Sequence, residues 1–314
     1  MIRMYRVLVC DPIAREAIDL LRKNNFKVDF VESPAPEELC RIIAAYDVII
    51  VRSATKVTKE VIDRGEKLKI IARAGAGLDN IDVEHANKRK IKVINAPEAL
   101  AVAVAEHTIA LMLMLLRKEY HACRSLKEEK LWLKKKFLGE EAFGKTIGII
   151  GLGRIGSEVA KRCKALGMRV LGYRRHKLEE KARELGIVAA PSLDFLLSES
   201  DIISIHVPLN KETFHMIGER ELNLMRPNVY LINTSRGAVI DGKSLLRALE
   251  NNRIAGVALD VFENEPPREP WEWKLITHPR VIVTPHIGAM TKESQRKTGL
   301  IIAQKIITTL STDQ

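Results

Sequence analysis

Apolar and polar positions alternate in two different rhythms along this chain. Short runs rich in β-branched residues are each followed by a stretch of helical period. The first series runs from strand Tyr5–Cys10 through an amphipathic stretch Ala14–Lys23, strand Lys27–Val31, helix Pro36–Ala45 and strand Val48–Val51. It continues with strand Ile70–Arg73, a glycine turn at Gly75-Ala76-Gly77, helix Val83–Lys88 and strand Lys92–Ile94. Strand–helix alternation of this kind predicts an α/β fold with mostly parallel sheets. From Glu98 to about Arg117 the pattern changes to one long helix that is apolar nearly all round, and so expected to be buried.

A second series begins at strand Thr146–Ile150, with helix Gly151–Leu166 and strands Arg169–Gly172, Ile202–Ile205, Val229–Asn233, Gly256–Asp260 and Val281–Thr284. Helices are expected over Lys177–Leu185, Ser244–Glu250 and Lys292–Leu310. Two alternating series imply two Rossmann-like domains, with the active site in the interdomain cleft, where strand C-termini point. The expected substrate domain is discontinuous, residues 1–97 and 286–314, and the dinucleotide-binding domain covers 98–285.

Composition narrows this only a little. The 314 residues are 46% hydrophobic and 29% charged, which fits two globular domains. The formal charge is +11, but Lys and Arg are mixed with Glu along the chain and no nucleic-acid-binding motif accompanies them, so anionic small molecules are the expected partners rather than nucleic acid. The longest apolar run, Ile109 to Leu116, is too short to span a membrane, and the start of the chain is too short and charged for a signal peptide. Cys10, Cys40, Cys123 and Cys163 are scattered without a CxxC pair, pointing to a reduced, cytoplasmic setting and mostly buried thiols. The abundance of Lys, Glu and Ile fits a heat-tolerant source. No metal cluster is visible.

The chemistry concentrates after the second series begins. Strand Ile147–Ile150 feeds directly into Gly151-x-Gly153-x-x-Gly156 and then a helix. Gly151 permits the tight turn, Gly153 lets backbone approach a pyrophosphate, and Gly156 lets helix and strand pack closely. Arg154 and Ile155 lie inside the turn, at a helix N-terminus suited to phosphate. The carboxylate that would bind a ribose diol about 20 residues later is missing; Arg174 and Arg175 stand there instead. Two guanidiniums attract a 2′-phosphate, so the expected cofactor is NAD or NADP, with NADP competence favoured. Three later segments each follow a strand: Asn233–Gly237, Leu259–Pro267 and Thr284–Ala289. They carry Arg236, Glu265 and His286, residue types that could bind a carboxylate, orient a base and exchange a hydroxyl proton.

These motifs, in this order and over essentially the whole chain, resemble the D-isomer-specific 2-hydroxyacid dehydrogenases. The resemblance implies that Arg236 binds and polarises a small anionic 2-hydroxy acid, that His286 is the acid–base, and that Glu265 is its partner. It implies cofactor contacts from His206, Val207, Pro208, Thr234, Ser235, Gly288 and Ala289, with Asp260 near the nicotinamide. Within the family, Val51–Thr58, Arg73–Asn80, Lys135–Gly139 and His286–Gln295 are most similar to the D-3-phosphoglycerate dehydrogenases. That implies substrate contacts from Arg52, Ser53, Ala76 and Gly77. The chain ends at Gln314, so the regulatory serine-binding domain of longer members is not expected. Two features depart from the pattern: Glu98, Leu100 and Ala101 replace small or polar residues, and Arg174 replaces an Asp. Glyoxylate and hydroxypyruvate reductases of the family, some of which use NADP, are the alternative activity. A corepressor-like binding protein on the same fold is the alternative of another kind. The long helix Glu98–Arg117 suggests a homodimer.

Overall fold

A computed structural model describes residues 4–311; residues 1–3 and 312–314, the outermost parts of the expected substrate domain, lie outside the described residues. The chain divides into two compact units. One comprises the residues up to Leu100 together with those from Ala289 onward, and the other is Ala101–Gly288.

The first unit carries strands β1 (Tyr5–Val9), β2 (Phe26–Phe30), β3 (Val48–Val51), β4 (Ile70–Arg73) and β5 (Lys92–Asn95). They form a five-stranded parallel sheet in the order β2-β1-β3-β4-β5. Central β3 is buried at every position, as a strand covered on both faces must be. The expected helix Pro36–Ala45 ends at Ile42 and tightens into a 3-10 turn over Ile43–Ala45. The last helix, Lys292–Ser311, returns to this unit. Gly299 meets Ala17 and Ala14, and Lys305 donates to the Asn95 carbonyl at 2.7 Å.

The second unit carries β6 (Thr146–Ile150), β7 (Arg169–Tyr173), β8 (Val188–Ala189), β9 (Ile202–Ile205), β10 (Val229–Asn233), β11 (Ile254–Leu259) and β12 (Val281–Val283). Their order is β12-β11-β10-β9-β6-β7-β8, all parallel. The order reverses direction between β6 and β9, the switch point beyond whose strand ends α/β sheets bind ligands.

Several expectations need correction. The long helix begins at Ala101, after a 3-10 turn over Pro97–Ala99, a position where Pro97 favours the first turn. It is not buried all round: Val102, Glu106 and Ala110 are exposed along one stripe, with Ile109 and Leu113 half-covered. The helix expected from Gly151 starts at Arg154, since Gly151 to Gly153 form the turn. Of the thiols, Cys10 and Cys163 are buried, and burial pushes both up to about 12, but Cys123 is exposed. No helix of the described residues is long and apolar enough to cross a membrane.

Candidate active site

The glycine turn follows β6 at the switch point. Gly151 has φ +98°, a left-handed conformation that costs a side-chain-bearing residue, and a Cβ there would sit 2.6 Å from the His206 carbonyl oxygen. A Cβ at Gly156 would collide with the Gly151 carbonyl. At Gly153 a Cβ would point into open space, so this glycine leaves room for a group approaching the backbone. Gly153 is also the N-cap of helix Arg154–Ala165 and offers no side-chain cap, leaving the first helical N–H groups for an outside acceptor. Arg154 is exposed and Ile155 half-buried. These are the properties a dinucleotide pyrophosphate needs.

The strand ends beside the turn carry the other cofactor candidates. His206 follows β9; its Nε2 faces Ser204 Oγ at 2.8 Å, and its Nδ1 is buried without a partner. Burial pushes the ring down to about 3, so it is neutral. Val207 and Pro208 continue the same chain. Arg174 and Arg175 follow β7. Arg175 pairs with Glu212, whereas Arg174 Nη1 donates to the Leu152 carbonyl, within the glycine turn, at 3.5 Å. Thr234 Oγ1 lies 2.9 Å from Thr108 Oγ1, and Ser235 donates from both N and Oγ to Asn233 Oδ1.

Strands β10, β11 and β12 are adjacent, and Arg236, Glu265 and His286 each follow the C-terminal end of one of them. Arg236 follows β10 in extended backbone, with Nη1 2.7 Å from the Ser235 carbonyl and its own carbonyl held by Asn233 Nδ2 at 2.9 Å. Gly237 then lies against the Phe262–Glu263 backbone, too close for any side chain, which ties the Arg236 turn to the segment bearing Glu265. His286 follows β12. Its Nδ1 is 2.6 Å from Glu265 Oε2, and the other Glu265 oxygen accepts the Phe262 N–H at 3.1 Å. His286 has φ +53°, a conformation unusual for a histidine and one that tertiary contacts must enforce. Its side chain is 41% exposed, so Nε2 can reach a ligand.

Asp260 enforces that conformation. It is fully buried, and its carboxylate accepts Thr284 Oγ1 at 2.6 Å and the amides of Ile287 and Gly288 at 2.8 Å each. Its carbonyl accepts the His286 N–H at 2.8 Å. His107 of the long helix closes the network, with Nε2 3.3 Å from Asp260 Oδ1 and 3.1 Å from Thr284 Oγ1. Burial alone would raise the Asp260 carboxyl, but hydrogen bonds from His107, Thr284, Ile287 and Gly288 outweigh it and hold the group below the usual range. In this structure Asp260 therefore clamps the His286 loop, a role not expected from sequence. His107 was likewise missed; as one histidine on an apolar helix it gave no signal of its own.

In the first unit, Arg52 follows β3 and Ser53 is exposed beside it. Buried Asp11 accepts the Arg52 N–H and also bonds Thr55 Oγ1 at 3.1 Å, while Asn80 Nδ2 binds the carbonyls of Arg52 and Thr55 at 2.7 and 2.6 Å. Arg52 Nη2 lies 3.4 Å from Met290 Sδ. Burial draws the Arg52 guanidinium down, and Asp11 partly offsets this. Ala76 and Gly77 follow β4, with Asn95 Nδ2 on the Ala76 carbonyl at 2.6 Å. Arg73, the last residue of β4, pairs in register with Val51, so it stands at the same sheet edge as Arg52. A Cβ on Gly75 would strike its guanidinium. A strand-terminal arginine next to a glycine turn was the sequence signal for it.

Residues 109–288 match the NAD-binding domain of the D-isomer specific 2-hydroxyacid dehydrogenases. That span contains the glycine turn, Arg236, Glu265 and His286. The chain belongs to this family. It is 47% identical over 302 residues to the D-3-phosphoglycerate dehydrogenase of Archaeoglobus fulgidus, covering 96% of this chain and 56% of that protein. The chain thus spans about half the length of the curated phosphoglycerate dehydrogenases it matches. It is 45% identical to the hydroxypyruvate reductase of Thermotoga maritima over 96% of this chain and 97% of that one. Among solved structures, the NAD+-bound 3-phosphoglycerate dehydrogenase of Entamoeba histolytica superposes with a TM-score of 0.84 at 30% identity, covering 99% of this chain and 97% of that chain.

Proposed function

We propose that this chain is an NAD(P)-dependent D-2-hydroxyacid dehydrogenase whose substrate is 3-phospho-D-glycerate, oxidised to 3-phosphooxypyruvate in serine biosynthesis. The observation that carries the reading is the 2.6 Å contact between His286 Nδ1 and Glu265, on a loop clamped by Asp260. The carboxylate fixes the imidazole tautomer and leaves Nε2 to take the hydroxyl proton during oxidation and return it during reduction. Arg236 binds the substrate carboxylate and polarises the developing carbonyl. The nicotinamide cofactor, when bound at the glycine turn, accepts or supplies the hydride. Arg52 binds an anionic substrate group, with Ser53 and the backbone of Ala76 and Gly77 completing the contacts. Arg73, at the same sheet edge, supplies a second positive charge suited to a phosphate dianion.

NADP competence belongs to the same proposal. Arg174 lies beside the glycine turn where a carboxylate would repel a 2′-phosphate, while Arg175 must first part from Glu212. Reduction of hydroxypyruvate is the second reading, supported by the 45% identity to the Thermotoga maritima protein. We further propose a cytoplasmic homodimer, with the exposed stripe of helix Ala101–Arg117 near Val102 and Ala110 facing the partner.

A steady-state panel separates the readings. 3-Phospho-D-glycerate, D-glycerate, hydroxypyruvate and glyoxylate would each be assayed with NAD(H) and NADP(H). The first reading requires the highest kcat/KM on the phosphorylated substrate and measurable turnover with NADP. A clear preference for hydroxypyruvate would install the second reading, and strict NAD dependence would remove the role given to Arg174.

A further inference from the structure

Glu272 is a carboxylate that the chemistry above does not use, yet it is only 2% exposed. A buried carboxylate is costly unless several donors surround it. Here four do. Asn264 donates its N–H at 3.0 Å to one oxygen; Asn264 Nδ2 at 3.1 Å and the amides of Arg268 and Glu269 at 2.8 and 2.9 Å donate to the other. The donors lie on both sides of Glu265-Pro266-Pro267. The two prolines have no N–H, so this stretch cannot staple itself through its own amides. One carboxylate, anchored on helix Pro270–Ile276, therefore gathers both ends of the loop. At the loop's near end Glu265 accepts the Phe262 N–H and faces His286.

We propose that Glu272 is a positioning residue: by holding both ends of the Asn264–Glu269 loop it places Glu265 against His286. The proposal rests on the reading of Glu265 and His286 as a working pair. Among the contacts above, the ring of His286 meets Glu265, while Asp260 holds the Ile287 and Gly288 amides and His107 lies against Asp260. Neither Asp260 nor His107 is a hydrogen-bond partner of Glu272, so a change at Glu272 reaches His286 through the loop bearing Glu265.

The test is a titration of the His286 ring by NMR in the full chain, its signal assigned by its loss in His286→Asn. Glu272→Gln removes the charge and turns an NH2 group toward donors. The expected result is a fall of about one unit in the His286 midpoint, the size expected when a carboxylate partner is displaced. The matching limb of the kcat/KM pH profile should move with it. In a Glu265→Gln background, Glu272→Gln should add no further shift, because the two act in series. Asn264→Ala, which removes one donor and leaves Glu272 intact, should give a smaller fall in the same direction. An unchanged His286 midpoint in Glu272→Gln, or an equal shift in the Glu265→Gln background, overturns the proposal. Should Glu272→Gln fail to fold, Asn264→Ala decides: a fall supports it and no change overturns it. Because the titration needs no turnover, a chain inactive on every hydroxy acid could still show these shifts, and would then defeat the functional reading alone.

Discussion

Arg236 is a guanidinium where an ammonium would carry the same charge, and the distinction is chemical. A planar fork can grip a carboxylate with two parallel N–H groups while also touching the carbonyl oxygen; a lysine offers one point charge. Arg236→Lys should therefore lower kcat/KM by about 10- to 100-fold, the worth of one charge-assisted hydrogen bond of about 1.5–3 kcal/mol, with KM rising as kcat falls. Steady-state kinetics checks this, and near-normal kinetics would show that Arg236 does not grip the substrate. At this scale the sequence was informative where a residue type is chemically necessary. Arg236, Glu265 and His286 stood out because their residue types and motif order match the family pattern, and the structure brings Glu265 and His286 into contact. Glu272, His107 and Asp11 do not, since their roles depend on which distant amides they meet, and no local spacing encodes that.

At the scale of elements, the segments after β11 and β12 are held by two buried carboxylates, Asp260 and Glu272. For both, burial pushes the carboxyl up but the surrounding hydrogen bonds win and hold it low. A carboxyl depressed in the folded state stabilises fully above its unfolded value and loses that contribution as pH falls through the folded value. Thermal unfolding followed by circular dichroism should therefore show a midpoint that drops as pH falls below about 4. Asp260→Asn should lower the midpoint at about pH 7 and flatten that decline. Parallel declines in variant and wild type would mean Asp260 is not what titrates. The parallel sheets themselves were legible, because buried β-branched runs such as Val48–Val51 leave little alternative. Short helices such as Leu193–Glu199 and Glu219–Leu224 were not; they are only seven and six residues long and owe their helicity to tertiary packing of Leu196, Leu197 and Leu222 in the core. The start of the long helix was misplaced because hydrophobicity runs through Leu100 while the backbone turns there.

At the scale of the whole molecule, the apolar surface argues for a second copy. Trp132, Leu138 and Phe143 are 79%, 80% and 76% exposed, and Tyr120, Leu126 and Leu131 of the same segment are exposed with them. So many large exposed apolar side chains in one stretch of sequence are the motive for testing the proposed dimer here. Sedimentation velocity should give twice the chain mass, and the double variant Trp132→Glu, Leu138→Glu should shift it toward one. A wild-type monomer at assay concentration would refute the dimer. The most direct test of the account lies in the reaction itself. Reduced cofactor formation from 3-phospho-D-glycerate and from its L-isomer would be measured for the wild type and for His286→Asn. The account requires turnover of the D-isomer only, falling by about 10²- to 10⁴-fold in the variant. Turnover that survives the loss of His286 would contradict it.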